Sequence, residues 1–142
     1  MSKYKNKKIV IDDIKFDSKA ESDYYLKLKN DKQNGLIKNF ELQPKFELQP
    51  KFKKNNKSYR AINYIADFKI INNDNSVEII DIKGMKTTEF KLKEKMFEYN
   101  YPKLSLKCLS YVKKYGGWIE YNELMKIRRE KRRKWLCMRI IL

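Results

Sequence analysis

Two aspartates and a lysine are the groups best placed by type and spacing to do chemistry. Asp67 lies in the run Tyr64-Ile65-Ala66-Asp67-Phe68, and Asp81 and Lys83 lie in Ile80-Asp81-Ile82-Lys83-Gly84. An idle carboxylate in strands this apolar would be costly to bury. With period-2 alternation, Ile65, Asp67 and Lys69 share one face of the first strand, and Val77, Ile79, Asp81 and Lys83 share one face of the next. If the loop is Asn73 to Asn75, Asn72 pairs with Ser76, and counting back sets Asp67 opposite Asp81; a loop of even length breaks that alignment. Two opposed carboxylates repel by about 4 kcal/mol at about 4 Å for an effective dielectric of about 20. A divalent cation offsets that repulsion, and Lys83 beside it would stabilise or deprotonate a nucleophilic water. The plainer alternative is a solvated face on which Lys83 pairs with one acid, the commoner fate of an isolated Asp-x-Lys. Here the apolar strand, the partner Asp and an upstream helical Glu reverse those odds.

Composition narrows the chemistry further. The chain has 142 residues, with 34 Lys+Arg against 18 Asp+Glu, a formal +16, and no histidine. The missing histidine removes Ser-His-Asp and Cys-His nucleophile systems, imidazole bases and histidine-ligated zinc together. Two cysteines, Cys108 and Cys137, cannot complete a four-thiolate site. Any metal therefore sits among oxygens, which favours Mg²⁺, Mn²⁺ or Ca²⁺. The positive excess raises the odds of a polyanionic partner, nucleic acid or an anionic membrane. Insertion into a membrane is not expected, because the longest apolar run, Trp135 to Leu142 with Arg139 inside it, falls far short of the roughly 20 residues a spanning helix needs. Lys3, Lys5, Lys7 and Lys8 precede only the brief Ile9-Val10-Ile11 run, so no secretory leader is expected and a reducing, cytoplasmic setting is the default.

Positioning Asp67, Asp81 and Lys83 requires a mixed order of elements. Ile9 to Ile11 and Ile14 to Phe16 read as two short strands around an Asp12-Asp13 turn. A helix then runs to Gly35, with Ala20, Glu21, Tyr24, Tyr25 and Leu28 on one side and Gly35 as its stop. The hexapeptide Phe40-Glu-Leu-Gln-Pro-Lys45 recurs at once as Phe46-Glu-Leu-Gln-Pro-Lys51. Two copies are too few for a solenoid and read as extended segments punctuated by Pro44 and Pro50. After a polar turn from Lys53 to Ser58, Tyr59 to Ile71 and Val77 to Lys83 form a hairpin closed by Asn72-Asn73-Asp74-Asn75. A second helix is expected from about Glu89 to Tyr99, with Thr88 as N-cap and Leu92, Met96 and Tyr99 as its core stripe. Leu104 to Val112 is a further strand, Gly116-Gly117 breaks it, and Ile119 to Lys134 reads as a strongly basic last helix. The sum is a mixed α/β or α+β domain, and the length suits one domain rather than two.

Glu21 carries two readings. Ser18-Lys19-Ala20-Glu21 is a capping box, worth about 1 kcal/mol, and the same glutamate lies on the apolar side of its helix, where a catalytic acid would be wanted. On the residues alone both stay open. Lys86, Lys91 and Lys95 form the next tier: Lys91 and Lys95 are one helical turn apart and would reach a bound phosphate backbone, although solvated lysines are commoner. Between Lys126 and Lys134 the last helix holds Lys126, Arg128, Arg129, Lys131, Arg132, Arg133 and Lys134 against Glu130 alone, a density that a polyanion relieves. A DNA-binding arm is the preferred reading and a solubilising tail the next. Tyr111, Tyr115, Trp118 and Tyr121 could stack on exposed bases, though capping the core is the simpler role. For Trp135 to Leu142 the residues favour neither a packed tail nor a partner contact.

The pattern resembles the PD-(D/E)XK nuclease superfamily. The matching elements are a Glu in the first helix (Ser18-Lys19-Ala20-Glu21), an Asp near a strand end (Tyr64-Ile65-Ala66-Asp67-Phe68) and the Asp-x-Lys of the next strand (Ile80-Asp81-Ile82-Lys83-Gly84). More closely, Leu42-Gln-Pro-Lys-Phe-Glu-Leu-Gln-Pro50, Tyr64 to Phe68 and Asp81-Ile-Lys-Gly-Met-Lys-Thr87 are similar to small phage-encoded endonucleases related to the RecU-type Holliday junction resolvases. The resemblance covers approximately Phe16 to Pro102, and the Pro of the superfamily name is replaced by Ala66. It implies a restriction-endonuclease-like core, a central mixed β-sheet flanked by helices, over residues 1–118, with 119–142 as a basic helix and apolar tail. It implies Asp67 and Asp81 as metal ligands, Glu21 as a further catalytic acid at the metal, and Lys83 as the water-activating or charge-stabilising lysine. Mg²⁺ is the expected cofactor, with Mn²⁺ as a substitute. Lys86, Lys91, Lys95, Arg128, Arg129, Arg132 and Arg133 are the expected DNA contacts, and a homodimer in the host-cell cytoplasm is the expected assembly and setting. The expected function is a metal-dependent DNA endonuclease selective for branched DNA. The alternatives are a nicking or double-strand endonuclease without junction preference, and a non-catalytic DNA-binding or architectural protein.

Overall fold

Most polar turns and helix stops divide the chain where the sequence places them, but the turn expected from Lys53 to Ser58 is corrected: only Asn55 and Asn56 turn, between short paired strands at Phe52–Lys54 and Lys57–Tyr59. The computed structural model describes residues 8–141; Lys3, Lys5, Lys7 and Leu142 lie outside the described residues. Strands β1 (Ile9–Ile11) and β2 (Ile14–Phe16) pair antiparallel across Asp12 and Asp13, both at positive φ, a conformation that Asp tolerates better than most residues. Helix α1 (Lys19–Gln33) starts on Ser18, whose hydroxyl accepts the Glu21 N–H at 3.2 Å. It stops at Gly35, at φ +72°, with the Gly35 N–H on the Lys32 carbonyl and the Leu36 N–H on the Asp31 carbonyl.

The remaining strands are β3 (Asn39–Leu42), β4 (Lys45–Gln49), β5 (Phe52–Lys54), β6 (Lys57–Tyr59), β7 (Ile62–Ile65), β8 (Phe68–Ile71), β9 (Val77–Ile82), β10 (Ser105–Val112) and β11 (Gly117–Glu120). A five-stranded mixed sheet runs β11-β10-β9-β8-β3, with β9 and β10 parallel and the other pairs antiparallel. A parallel pair needs a crossover, and α2 (Thr88–Asn100) supplies it. Tyr24, Tyr25 and Leu28 of α1 pack with Phe68, Ile70 and Ile80. Phe90 and Phe97 of α2 pack with Ile79, Tyr64, Leu48 and Ala66 in a second cluster. The chain is therefore of the mixed α/β class, with the central mixed sheet and flanking helices that the sequence leads one to expect.

Several details add to or differ from expectation. The two hexapeptide copies serve different cores: Phe40 and Leu42, on β3 beside β8, join the α1 cluster, whereas Phe46 and Leu48, on β4 beside β7, join the α2 cluster. Helix α2 is capped by Thr87 rather than Thr88, the Thr87 hydroxyl accepting from the Phe90 N–H at 3.1 Å. Its buried residues are Phe90 and Phe97, so Leu92 and Tyr99, each two positions and about 200° further round the helix, are 60% and 86% exposed. Finally, α3 (Tyr121–Ile141) begins after β11, which takes Ile119 and Glu120 into the sheet. Leu124, 1% exposed, fixes α3 to the body, so the packed part of the chain continues past 118, and the described apolar tail extends the same helix. Among the described residues no helix is long and apolar enough to cross a membrane.

Candidate active site

The site is built where one long run of sequence changes partners. The Asn72 N–H meets the Ser76 carbonyl at 2.9 Å, and the ladder continues from Ile71 opposite Val77 to Phe68 opposite Ile80. The register counted from a three-residue loop is the one observed, and it brings Asp67 to Asp81. There the strand leaves β9. The Ala66 N–H turns to the Pro44 carbonyl at 3.1 Å, and β7 pairs with β4 instead. An unbroken ladder would send the Ile82 N–H to the Ala66 carbonyl; it goes to Asp67 Oδ2 at 2.7 Å, so the side chain replaces a backbone acceptor. The break also shifts the alternation, placing Ala66 in the α2 cluster and Phe68 in the α1 cluster. The expectation that Ile65, Asp67 and Lys69 share one face is corrected at Ile65, which is exposed beyond the break; Lys69 meets its register partner Glu41 of β3 at 3.3 Å. Ala66 donates a hydrogen bond that a proline in its place could not.

Asp81 is 1% exposed and fully engaged: one oxygen accepts from the Tyr64 hydroxyl and the other lies 3.1 Å from Lys83 Nζ. Lys83 is held along its length. Its N–H donates to the Leu109 carbonyl at 2.8 Å, its carbonyl accepts from the Ser110 hydroxyl, and its ammonium sits 4.5 Å from the centre of the Phe90 ring. Asp67 follows the last ladder pair, Phe68 opposite Ile80, so it falls beside Asp81. Burial pushes its carboxyl up to about 8, the Asp81 charge and the contact between the two acids push the same way, and the Ile82 N–H opposes them. Two residues here were not singled out from the sequence. Tyr64 is visible there only as one more aromatic strand residue. Gln43, at φ +48°, donates its N–H to the Asp67 carbonyl at 2.9 Å and lines, with Glu21, Asp67 and Lys15, a cavity of about 220 Å³.

Glu21 sits both at the helix cap and beside Asp67. Its carboxylate accepts from the Ser18 hydroxyl at 3.2 Å at the helix cap, and it borders the same cavity as Asp67. Burial raises its carboxyl above the ordinary range, Ser18 partly offsets this, and the charges of Asp17 and Asp81 add to the rise. Among the described residues no three acids gather into one metal-ligating cluster, so the expected third ligand, Glu21, stands beside the aspartate pair rather than in a cluster with it. The pair itself fits a hard divalent ion: two carboxylates forced together, with oxygen as the only donor type. A thermal consequence follows. Without metal, the raised Asp67 value means that the folded state holds a proton the unfolded chain has released, so stability is full below the unfolded value of 3.8 and is lost as pH rises towards about 8. The melting temperature in EDTA should fall between pH 6 and pH 8, and millimolar Mg²⁺ or Mn²⁺ should raise it, more at pH 8 than at pH 6. Equal shifts at both pH values, or none, would exclude the pair as the ion's seat.

The basic residues divide. Lys86 is the most enclosed of them: its side chain is 7% exposed, pairs with Glu94 at 2.7 Å and lies 5.1 Å from the centre of the Tyr121 ring, where it forms part of the lining of the groove between the second and third helices. Lys91, Arg128, Arg129 and Arg132 line an open groove of about 730 Å³ between α2 and α3. Arg128 also borders a smaller recess with Lys83 and Gly84, so the groove and that recess share one arginine. Lys95 is exposed but lies on other surfaces, and Arg133 is exposed outside the groove lining. Trp118 packs edge-on against Tyr24 and Tyr111, at 4.9 and 5.2 Å between ring centres, which is the core-capping role.

Residues 1–117 match the family model described as "Protein of unknown function (DUF1064)", a span that takes in α1, the aspartate-bearing strands and α2 and ends as β11 begins. No curated protein and no solved structure matches the chain.

Proposed function

We propose that this chain, which belongs to the DUF1064 family, is a metal-dependent DNA endonuclease with branched DNA as its preferred substrate. The observation that carries the reading is the opposition of Asp67 and Asp81 at a break between strands, with Lys83 Nζ 3.1 Å from Asp81 Oδ1. Asp67 and Asp81 would hold Mg²⁺, or Mn²⁺ in its place. When bound, that ion supplies charge stabilisation at the phosphate and a lowered pKa for the attacking water. Tyr64 and the Ile82 N–H fix the two carboxylates, so the acids do not swing apart when the phosphate arrives. Lys83 has three N–H donors, of which one meets Asp81, and the others suit a phosphate oxygen or the water that attacks it. Arg128 leads from Lys83 into the groove of Lys91, Arg129 and Arg132, where phosphate contacts give affinity and register without base readout.

Resolving a branch takes two cuts, so two copies of the site in a symmetric dimer are expected. A reducing host-cell interior suits the two free thiols of Cys108 and Cys137. A second reading, DNA binding without cutting, draws on the groove alone. Cleavage of a four-way junction beside a linear duplex of the same sequence, each with Mg²⁺ and with EDTA, tests both. The junction should be cut at least about tenfold faster, and only with metal. Equal cutting of the two substrates leaves a nuclease without junction preference, and binding by folded protein with no metal-dependent cutting contradicts the nuclease reading.

A further inference from the structure

The segment from Lys51 to Arg60 takes no part in the site, and its chemistry is one-sided. It carries Lys51, Lys53, Lys54, Lys57 and Arg60 and no acid, and all of its residues are exposed. Strands β5 and β6 pair only with each other. Among the described residues none of these five cations meets a carboxylate. The register sets Phe52 opposite Tyr59, Lys53 opposite Ser58 and Lys54 opposite Lys57. Phe52, Lys54, Lys57 and Tyr59 therefore share one face of the ribbon. The two rings stack with centres 4.6 Å apart and planes 6° apart, and Lys57 Nζ lies 5.1 Å from the Tyr59 centre.

This stack, with Asn55 and Asn56 both at positive φ in the turn, gives a definite shape to a two-stranded ribbon that would otherwise be marginal in water. Yet Lys54 directly opposite Lys57 works against it, since like charges facing across strands destabilise the pair. An ordered ribbon whose repulsion nothing in the chain relieves is a surface prepared for an anion. Its place in the fold says which anion. β6 runs into β7, and β7 leads through Ala66 to Asp67. From Asn56 to Asp67 the chain can reach at most about 40 Å, close to one turn of duplex at about 34–36 Å.

We propose that the β5–β6 hairpin is an arm that grips the phosphate backbone of duplex DNA through Lys54 and Lys57 on one face and Lys53 on the other, within about one helical turn of Asp67. Its alignment with the cut rests on the endonuclease reading; its contact with DNA does not. The test is a salt titration of binding to a linear duplex of about three turns, run in EDTA so that cutting does not enter. Each lost phosphate contact removes about 0.9 from the slope of log K against log salt, so the triple Lys53, Lys54 and Lys57→Gln protein should lose about 2–3 units of slope. A control with the same charge change on α1, Lys27, Lys29 and Lys32→Gln, should lose less than one. Removing like charges does not threaten folding, and an unchanged melting temperature in the hairpin variant confirms this. An unchanged slope, an equal loss in the control, or no binding of duplex by the parent protein overturns the arm. If the slope stays and the parent still cuts with Mg²⁺, the arm alone is wrong; if the slope falls and the parent never cuts, the arm stands and the endonuclease reading falls.

Discussion

Asp67→Asn should abolish metal-dependent cutting and leave the metal-free protein more stable than the parent. The two effects have one cause. Asp67 sits against Asp81 with burial and a second negative charge both opposing its ionisation. An asparagine keeps the shape, its amide oxygen can still accept the Ile82 N–H that Asp67 Oδ2 takes at 2.7 Å, and its NH₂ can donate to Asp81. The repulsion vanishes, so the melting temperature in EDTA rises at pH 7.5 and its decline from pH 6 to pH 8 flattens. The ion loses half of its protein carboxylates, so the cutting rate should fall about 10³-fold or more. Most substitutions at buried polar positions destabilise. A gain in stability paired with a loss of activity is therefore a signature of an acid pair kept for function. A melting temperature below that of the parent would show that the two acids stabilise each other by sharing a proton and need no ion.

Phe97→Ala should be the most damaging single change to the fold. Phe97 is 0% exposed and its ring meets Phe46 at 5.0 Å, Tyr101 at 5.2 Å and Tyr64 at 5.8 Å. Removing a buried phenylalanine ring costs about 3–5 kcal/mol, which in a domain of this size lowers the melting temperature by roughly 10–20 °C. The cavity also opens beside Tyr64, whose hydroxyl fixes Asp81. Cutting should thus decline even at a temperature where the variant is still folded. Phe97→Leu, which fills most of the space, should recover most of the stability. A shift of less than about 3 °C for Phe97→Ala would mean that the second core is loosely packed.

Much of this was legible in the residues. The loop Asn73 to Asn75 set the register because alternation and a tight turn leave few choices, and the count to Asp67 opposite Asp81 followed. Gly35 and Ser18 marked the ends of α1 because positive φ and an orphan N–H each call for a particular residue. The break at Ala66 was not legible, since an alanine in an apolar strand gives no sign that its N–H will leave for Pro44. Tyr64 stayed hidden for the same reason: which strand face it takes depends on that break. The core face of α2 was misplaced at Leu92 and Tyr99, while Met96 does pack against the second cluster: the stripe Leu92, Met96 and Tyr99 looks as good as Phe90 and Phe97, and only the sheet decides between them. Lys86 looked like its exposed neighbours Lys91 and Lys95; its burial comes from Glu94 and Tyr121, one of them 35 positions away in the chain. The opposed lysines of the hairpin follow from the same kind of register count, once Asn55 and Asn56 are known to form the turn.

The most direct measurement is the cleavage rate of a four-way junction by the folded protein as Mg²⁺ is titrated, with Asp67→Asn prepared in parallel as the control for contaminating nuclease. Cutting that rises with Mg²⁺, stops on addition of EDTA and is absent from the Asp67→Asn protein is the predicted result. Cutting of equal rate in both proteins, or none in the parent at saturating metal, would contradict the assignment of Asp67, Asp81 and Lys83 as a phosphodiester-hydrolysing site.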